Sequence, residues 1–342
     1  MVVLCTSVSI TASNGQVFWG RTMDLNVGVF EEDAGLPAEI INIPAQVTIK
    51  SNLHSWTSKY AVMGIGSAQN FNIFDGINSA GLAGDLQVLL ESTHASERQL
   101  QKRGLTPLLG EEVVTFILSN FQSVAEIKKH ISKYGLLHHP YQRGHIRSQF
   151  SGHYLFIDST NDSVVLEPTD QGAFRIYDSV GVMTNSPEYY WHLTNLRNYV
   201  NLSSHNPHKK KTVYNNRLAL SPIATGTGYG MLGLPGDYTS PSRFVRAAIL
   251  ANNLDPFPAT LGINQLFSVL KSVTVPQGIQ HGLRNSQVSD HSRYWVGYDL
   301  SARRLYVQPC LGLAVNTCRL DLQQTHITRR QIQVSNQVLE LN

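Results

Sequence analysis

The chain has 342 residues, of which 42% are apolar and only 15% are charged, so its composition is that of a protein that folds around an apolar core. Lysine and arginine number 27 against 24 acidic residues, which gives a net charge of +3 with histidine neutral. Because the basic residues are scattered along the chain, no nucleic-acid partner is predicted. A short lysine run at residues 209–211 lies among Asn and Pro and is interpreted as a solvated loop.

The sequence contains neither a membrane segment nor an export signal. No stretch reaches the roughly 18 apolar residues of a membrane helix, and no basic region followed by a long apolar one is found at the start. Three cysteines, Cys5, Cys310 and Cys318, are too few for a disulfide framework and suit a reducing compartment. The sequence therefore predicts a cytoplasmic protein without a membrane partner, although a trimmed signal peptide would leave the same pattern.

The first predicted element is a β-hairpin. Val8 and Ile10 alternate with polar residues, Asn14-Gly15 is a turn dipeptide, and residues 16–21 return as a strand. This pairing places Cys5 and Arg21 near the same open end. Further strands are predicted at residues 60–65, 153–158, 163–167, 174–178, 294–300 and 304–308.

Four helices are predicted from apolar residues that recur every three or four positions. Their stripes are Val114, Ile117, Leu118 and Phe121; Val124, Ile127, Ile131 and Tyr134; Phe244, Ala247 and Ala248; and Ile263, Leu266, Phe267 and Leu270. Ser123 with Glu126 forms a capping-box pattern at the start of the second helix, and Gly135 suits its end. Strands and helices without strict alternation predict an α+β fold with antiparallel sheets, in one domain over residues 1–342.

Two patterns are only weak indications of other chemistry, namely dinucleotide binding and metal binding. Residues 228–233 match the letters of a dinucleotide-binding motif, but Pro235 and Gly236 follow at once and prevent the helix that the motif requires. This segment is predicted to be a structural loop. The thirteen histidines show no metal-ligand spacing and no clustered cysteines, so a zinc site is not expected.

Cys5 is the candidate nucleophile because it lies near the start of the chain. If residues 1–4 were removed, its α-amine, with an ordinary pKa of about 7.7 to 8.0, could act as the base for its own thiol. One residue would then supply both nucleophile and base. Composition alone leaves the alternative of a buried strand cysteine.

The motifs around Cys5 resemble those of a known family. They are Cys5-Thr6-Ser7, Gly20-Arg21-Thr22-Met23-Asp24, Asp75-Gly76-Ile77-Asn78 with Gly81-Leu82, Met183-Thr184-Asn185-Ser186-Pro187, Gly233-Leu234-Pro235-Gly236-Asp237 and Ser242-Arg243-Phe244. In this order they resemble the choloylglycine hydrolase family of N-terminal nucleophile hydrolases, which includes penicillin V acylases and conjugated bile salt hydrolases. The resemblance implies a four-layer αββα sandwich of two antiparallel sheets. It also implies a homo-oligomer, a tetramer, that hydrolyses a small-molecule linear amide without a metal or an organic cofactor.

The resemblance implies a role for Cys5 and for two residues of the paired strand, Arg21 and Asp24. Cys5 attacks the substrate, Arg21 favours the thiolate form of Cys5, and Asp24 accepts a hydrogen bond from the α-amine. Without the resemblance, an Arg and an Asp three residues apart could equally be a surface ion pair. Cys310 and Cys318 have no counterpart in the motifs and are interpreted as structural thiols.

The resemblance places an oxyanion hole at Asn185 and at the backbone N–H of Val88, and it makes Arg243 a group that stabilises developing charge. Val88 departs from the family, which usually has Tyr or Asn there. From the residues alone, Asn185 could be a turn residue and Arg243 an exposed residue near a helix N-terminus.

The substrate prediction depends on the residues around Trp191. Residues 191–197 resemble the Trp-His-x-Thr-Asn-Leu-Arg run of penicillin V acylases more than the Gln-Leu-x-Asn-Leu pattern of bile salt hydrolases. A penicillin V acylase is therefore expected first, with a conjugated bile salt hydrolase or an N-acyl homoserine lactone acylase as alternatives. A hydrolase-like binding protein that is never processed is the non-enzymatic alternative, because residues 1–4 still precede Cys5.

Overall fold

The computed structural model describes residues 4–31, 34–143, 146–207, 211–223, 226–282 and 287–341. The strands are β1 (Leu4–Thr11), β2 (Val17–Leu25), β3 (Ala38–Ile43), β4 (Thr48–Ile49), β5 (Trp56–Thr57), β6 (Val62–Ser67), β7 (Ile73–Asn78), β8 (Ala83–Val88), β9 (Thr106–Leu108), β10 (Tyr134–Leu136), β11 (Tyr141–Arg143), β12 (Ile146–Ser148), β13 (Gly152–Ile157), β14 (Ser163–Asp170), β15 (Ala173–Asp178), β16 (Val182–Met183), β17 (Thr212–Tyr214), β18 (Leu218–Leu220), β19 (Gln280–His281), β20 (Ser289–Asp299), β21 (Arg304–Pro309), β22 (Asn316–Arg319) and β23 (Thr328–Arg330). The α-helices are α1 (Glu97–Lys102), α2 (Val113–Asn120), α3 (Val124–His130), α4 (Tyr189–Leu196), α5 (Ser240–Asn252) and α6 (Gly262–Ser272). The predictions on residues 1–3, Lys209 and Lys210 lie outside the described residues.

Two large sheets contain most of these strands. The first sheet has the order β16-β1-β2-β20-β21-β22, with β19 paired to β20, and its pairs are antiparallel. The second sheet has the order β23-β3-β6-β7-β8-β13-β14-β15-β10-β9. Its β9–β10 pair is parallel, which differs from the purely antiparallel sheets that were predicted. The α+β class is confirmed.

The strands of the second sheet are apolar on both faces because each face packs against another layer. In β13, Leu155 and Ile157 belong to the core cluster that contains Cys5, whereas Tyr154 and Phe156 belong to the cluster that contains the α2 side chains. On the other side of the molecule, α5 and α6 pack on β1, β2 and β20 of the first sheet. The layers are therefore helix, sheet, sheet and helix, as the predicted αββα sandwich requires.

Glycines allow α6 to approach the first sheet closely. Gly20 and Gly297 are paired neighbours on β2 and β20. A Cβ atom added at either position would lie 3.0 Å from the Cδ2 atom of Leu266 on α6. Leu266 therefore occupies the space that two side chains would otherwise fill, which holds the helix against the strand that carries Arg21.

The predicted hairpin is confirmed. β1 and β2 pair around the Asn14-Gly15 turn, with Cys5 opposite Met23 and Ser7 opposite Arg21. Side chains two residues apart on a strand point to the same face, so this register puts Cys5 and Arg21 on one side of the sheet.

The second predicted helix is shorter than its periodicity indicated. α3 ends at His130, and Tyr134 and Gly135 belong to β10. Gly135 is therefore not a helix stop; its lack of a side chain makes room for Leu100, whose Cδ2 atom would lie 2.7 Å from an added Cβ. The capping box is half formed, because Ser123 accepts the Glu126 N–H while the Glu126 carboxylate accepts the N–H of Gln122.

The other predicted helices are confirmed as α2, α5 and α6. Within the described part of the chain, no helix has both the length and the apolar character needed to cross a membrane. The glycine-rich segment 228–233 is a loop with one 3₁₀ turn, Tyr229–Met231, and both Gly228 and Gly233 have positive φ angles. No helix begins inside the letter pattern, so the prediction of a structural loop is confirmed.

Candidate active site

Cys5 lies on β1 and its side chain is fully buried. Its Sγ atom is 3.8 Å from the Sδ atom of Met23 on the paired strand, and its backbone N–H donates to Oδ1 of Asn185 at 2.6 Å. The chain continues through Leu4 in the same strand, where Leu4 pairs with Asp24. The nitrogen that would become the α-amine is therefore an amide nitrogen in the described chain.

Arg21 reaches from the first sheet into the second. Its guanidinium Nη1 donates to the carbonyl oxygens of Leu86 at 2.8 Å and Phe74 at 3.3 Å, and it lies 3.5 Å from Oδ2 of Asp85. The side chain is fully buried. The alternative of a surface ion pair with Asp24 is therefore wrong.

Burial has the largest effect on the thiol of Cys5. It raises the pKa of Cys5 to about 11, although the positive charge of Arg21 acts to lower the pKa as the sequence predicted. A thiolate in a dry interior loses the solvation that stabilises its charge, and one nearby cation replaces only part of it. At neutral pH the thiol in the described chain is therefore protonated.

Asp24 lies beside Cys5 but has other hydrogen-bond partners. Its carboxylate accepts hydrogen bonds from the hydroxyls of Ser292 at 2.6 Å and Thr22 at 3.2 Å, and it lies 3.9 Å from Nη1 of Arg243. Burial is the main reason that the pKa of Asp24 is raised to about 6. In this state the acceptor of the Cys5 N–H is Asn185, so the pairing of Asp24 with a free α-amine stays a prediction.

Asn185 connects Val88, the other residue predicted for the oxyanion hole, with Cys5 on β1. Its Nδ2 donates to the carbonyl oxygen of Val88 at 3.1 Å while its Oδ1 accepts the N–H of Cys5. These three residues are distant in sequence and adjacent in space. The amide group of Asn185 thus has a structural partner on each side.

Arg243 completes this arrangement from α5. Its Nη1 donates to the carbonyl oxygen of Cys5 and to Oγ1 of Thr6, and its Nη2 donates to Oδ1 of Asn185 at 3.0 Å. The side chain is fully buried, so the alternative of an exposed helix residue is wrong. Five of the six predicted site residues, Cys5, Asp24, Val88, Asn185 and Arg243, are connected by these contacts. Arg21 joins them through Met23, whose Sδ atom lies 3.5 Å from Arg21 Nη2 and 3.8 Å from Cys5 Sγ.

Sequence analysis missed a second link between the sheets near Cys5. Asp75 on β7 accepts hydrogen bonds from the hydroxyls of Tyr294 at 2.8 Å and Tyr298 at 2.6 Å, both on β20. Burial raises the pKa of Asp75 to about 6. The four-residue spacing of the tyrosines in a predicted strand was the available signal, because it puts both hydroxyls on one face.

A metal has no evident place in this site. The described ranges contain no group of three or more His, Cys, Asp or Glu side chains arranged to bind a metal ion. Cys310 and Cys318 are unpaired, half-buried and buried respectively. The absence of a cofactor remains a prediction.

The fold and the site together define a class of protein. Two stacked sheets with helices outside, and a cysteine near the start of the chain between them, are the arrangement of an N-terminal nucleophile hydrolase. Residues 5–332 match the family model of linear amide C-N hydrolases, choloylglycine hydrolase family, and the chain belongs to this family. It is accordingly an enzyme that hydrolyses linear amides.

Known relatives agree with this assignment. A conjugated bile acid hydrolase from Lactobacillus acidophilus is 29% identical over 93% of this chain and 96% of that protein. The structure of a variant conjugated bile acid hydrolase from Clostridium perfringens matches with a TM-score of 0.83 at 25% identity, covering 99% of this chain and all of that one. A penicillin V acylase structure from Agrobacterium tumefaciens shares the fold, with a TM-score of 0.72 at 21% identity over 97% of this chain and 94% of that one.

Replacement of Asp75 tests the buried carboxyl that joins the sheets. Because its pKa is raised above the ordinary value of 3.8 to about 6, the folded state binds more protons than the unfolded state between these values. The free energy of unfolding therefore decreases as the pH rises through this range. We expect Asp75→Asn, which cannot titrate, to reduce this decrease when urea unfolding is compared at about pH 4 and about pH 7.

Asp178→Asn is the matched control, since Lys128 lowers the pKa of the exposed Asp178 and this carboxyl is ionised in both states over nearly all of the range compared, so its loss should leave the pH dependence almost unchanged. An unchanged pH dependence in Asp75→Asn would mean that Asp75 does not titrate differently in the folded state.

Proposed function

We propose that the enzyme is a cysteine N-terminal nucleophile amidohydrolase in which Cys5 is the attacking residue. The observation that carries this proposal is the position of Asn185, whose side chain contacts both the Cys5 N–H at 2.6 Å and the Val88 carbonyl at 3.1 Å. These contacts support an arrangement in which the attacking residue lies beside two groups suited to an oxyanion hole. We also propose that residues 1–342 form a single domain.

The reaction begins after the residues that precede Cys5 are removed. Cleavage of the Leu4–Cys5 peptide bond converts a buried amide nitrogen into an amine that can take the thiol proton. The opening of the site to water also relieves the desolvation that raises the pKa of Cys5 to about 11. Arg21 then favours the thiolate, because burial no longer raises the pKa of Cys5 to the same extent.

The catalytic steps use the groups already described. The Cys5 thiolate attacks the amide carbonyl carbon, and the new oxyanion accepts hydrogen bonds from Asn185 Nδ2 and the Val88 N–H, for which Asn185 exchanges its present bond to the Val88 carbonyl. The α-amine returns its proton to the leaving amine as the C–N bond breaks, and water then hydrolyses the thioester. Asp24 and Arg243 hold the amine and the Cys5 backbone in position.

Conjugated bile salts are the proposed substrates. A conjugated bile acid hydrolase is 29% identical over 93% of this chain, whereas the penicillin V acylase structure is 21% identical, and this difference favours the reverse of the order expected from residues 191–197. The side chain of Trp191 in this run is 45% exposed and that of Tyr190, just before it, is 67% exposed, so these two side chains do not line a closed acyl pocket in the described state. Penicillin V is the second candidate, because Val88 lacks the polar side chain associated with bile salt cleavage.

We also propose that the enzyme is a cytoplasmic homo-oligomer. A tetramer is proposed because the family resemblance implies one. Apolar side chains of the β17–β18 hairpin support self-association, since Val213, Tyr214, Leu218 and Leu220 are each about half exposed or more. Exposed apolar clusters of this kind are typical of contact surfaces. The three unpaired cysteines are consistent with a reducing compartment.

Replacement of the nucleophile tests the mechanism. Cys5→Ser keeps the shape of the side chain and removes the thiol, so the rate of amide hydrolysis should decrease by at least about 10³-fold. Cys318→Ser is the matched control, because Cys318 is another buried cysteine on β22, away from the site, and its loss should leave turnover unchanged. Turnover by Cys5→Ser close to that of the unchanged enzyme would exclude Cys5 as the nucleophile.

A comparison of substrates tests the specificity. We expect kcat/KM for glycocholate and taurocholate to exceed kcat/KM for penicillin V by about tenfold or more. N-acyl homoserine lactones and penicillin G are assayed in parallel. Val88→Asn should increase the ratio in favour of the bile salts, and Val88→Tyr should decrease it. A higher kcat/KM for penicillin V would make penicillin V acylase the function and leave the Cys5 mechanism intact.

A further inference from the structure

The backbone carbonyl of Asn185 has two buried side-chain contacts. Nε2 of His192, on α4, lies 2.8 Å from this oxygen, and Oγ of Ser240, at the start of α5, donates to it at 2.8 Å. Both side chains are almost completely buried. The main chain of Asn185 is therefore held between two helices, while its side chain faces Cys5 and Val88.

The hydrogen-bond geometry assigns the proton of His192. A carbonyl oxygen accepts and cannot donate, so Nε2 must carry a hydrogen. Burial lowers the pKa of His192 to about 4, which keeps the ring neutral at neutral pH. Nδ1 has no hydrogen-bond partner among the described residues. A neutral ring with its hydrogen on Nε2 donates one hydrogen bond, and that bond goes to Asn185.

Packing fixes the plane of the His192 ring. The ring stacks on Phe244 with a centroid distance of 4.7 Å and an interplanar angle of 15°. Phe244 follows Arg243, which itself donates to Oδ1 of Asn185. The histidine, the arginine and the asparagine thus belong to one packed unit between α4 and α5.

The first turn of α4 is anchored separately. The carboxylate of Glu167 accepts the Tyr189 N–H at 2.9 Å and contacts Nδ1 of His153 at 2.9 Å, and the Tyr189 hydroxyl donates to Ser179. This anchors α4 to β14 of the second sheet. His192, one turn later, consequently lies on a helix that has anchors besides its own bond to Asn185.

We propose that His192 is a positioning residue for the oxyanion hole: its Nε2–H hydrogen bond to the Asn185 carbonyl fixes the main chain from which the Asn185 amide is presented to the reacting carbonyl. This proposal rests on the proposed function of Asn185. It adds a role for the histidine of the 191–197 run, whose aromatic neighbours are exposed. The hydrogen bond and ring contacts described for His192 are to Asn185, Trp191 and Phe244, and none is to Cys5.

Two substitutions of similar size separate the hydrogen bond from packing. His192→Gln keeps a donor within reach of the carbonyl, whereas His192→Met keeps apolar contact with Phe244 and has no donor. A shift of the amide by a fraction of an ångström weakens binding of the transition state more than binding of the substrate. We expect His192→Met to lower kcat by about 10- to 100-fold with KM changed by less than about threefold, and His192→Gln to stay within about threefold of the parent.

An aldehyde analogue of the substrate's acyl group provides a second readout, its inhibition constant, which a lower stability of the protein does not change. It forms a thiohemiacetal with Cys5, in which the thiol adds to the carbonyl and the oxygen occupies the oxyanion position. The inhibition constant of the aldehyde should increase in His192→Met in parallel with the loss of kcat, while that of the product carboxylic acid stays unchanged. Leu100→Ala, which removes a buried side chain from the separate cluster around α1, controls for lower stability and should leave both constants unchanged.

Ser240→Ala provides a second test if His192→Met does not fold. It removes the other donor to the same carbonyl and should also lower kcat and weaken the aldehyde. The proposal is overturned if His192→Met keeps kcat within about threefold of the parent, or if His192→Gln loses as much kcat as His192→Met. It is also overturned if neither Ser240→Ala nor His192→Met changes the inhibition constant of the aldehyde. Failure of the proposed function is distinguishable, because it would appear as turnover by Cys5→Ser in an otherwise unchanged chain.

Discussion

The site depends on buried charged and polar side chains through which each of the two sheets contacts the other. Arg21 of the first sheet extends to backbone carbonyls and Asp85 of the second, while Asp75 of the second sheet accepts hydrogen bonds from two tyrosines of the first. Removing one partner of a buried ion pair costs about 3–5 kcal/mol, because the other charge is left without compensation. The sheets therefore have one favourable register relative to each other, and Cys5 lies at this junction.

The same burial limits the chemistry of Cys5 in the described chain. The surroundings that hold Arg21 close to the thiol also exclude water, and the exclusion of water has the larger effect on the pKa. A chain with residues before Cys5 thus has a protonated thiol at the proposed nucleophile and an amide in place of the proposed base. In our account, cleavage before Cys5 changes both properties in one step, which keeps the thiol inactive until then.

Sequence reasoning succeeded where a local pattern determines structure. The Asn14-Gly15 turn with alternating residues predicted the β1–β2 hairpin, and apolar stripes predicted α2, α5 and α6, because turn chemistry and periodicity depend on near neighbours. The end of α3 was misplaced, since Gly135 is required by its contact with Leu100, which is distant in sequence. The tyrosine partners of Asp75 and the Phe244 partner of His192 are equally distant in sequence, and the spacing of the two tyrosines was the one local signal for them.

The candidate site was predicted through motifs, and physical chemistry alone left each residue with an ordinary alternative. Burial decides between them: Arg21 and Arg243 are completely enclosed, which a surface ion pair or an exposed helix position would not require. No local feature of the sequence reports such burial, because it arises when β1, β2, α5 and the second sheet assemble. The net direction of the Cys5 pKa depends on this assembly as well.

The central claim is that the active enzyme begins at Cys5 and carries the acyl group on its sulfur. The most direct measurement is the intact mass of active protein, taken before substrate and after rapid acid quenching during turnover of glycocholate. Our account predicts a chain whose first residue is Cys5, and after quenching an additional mass equal to one acyl group on that residue. Full activity from protein that retains the residues before Cys5 would contradict it.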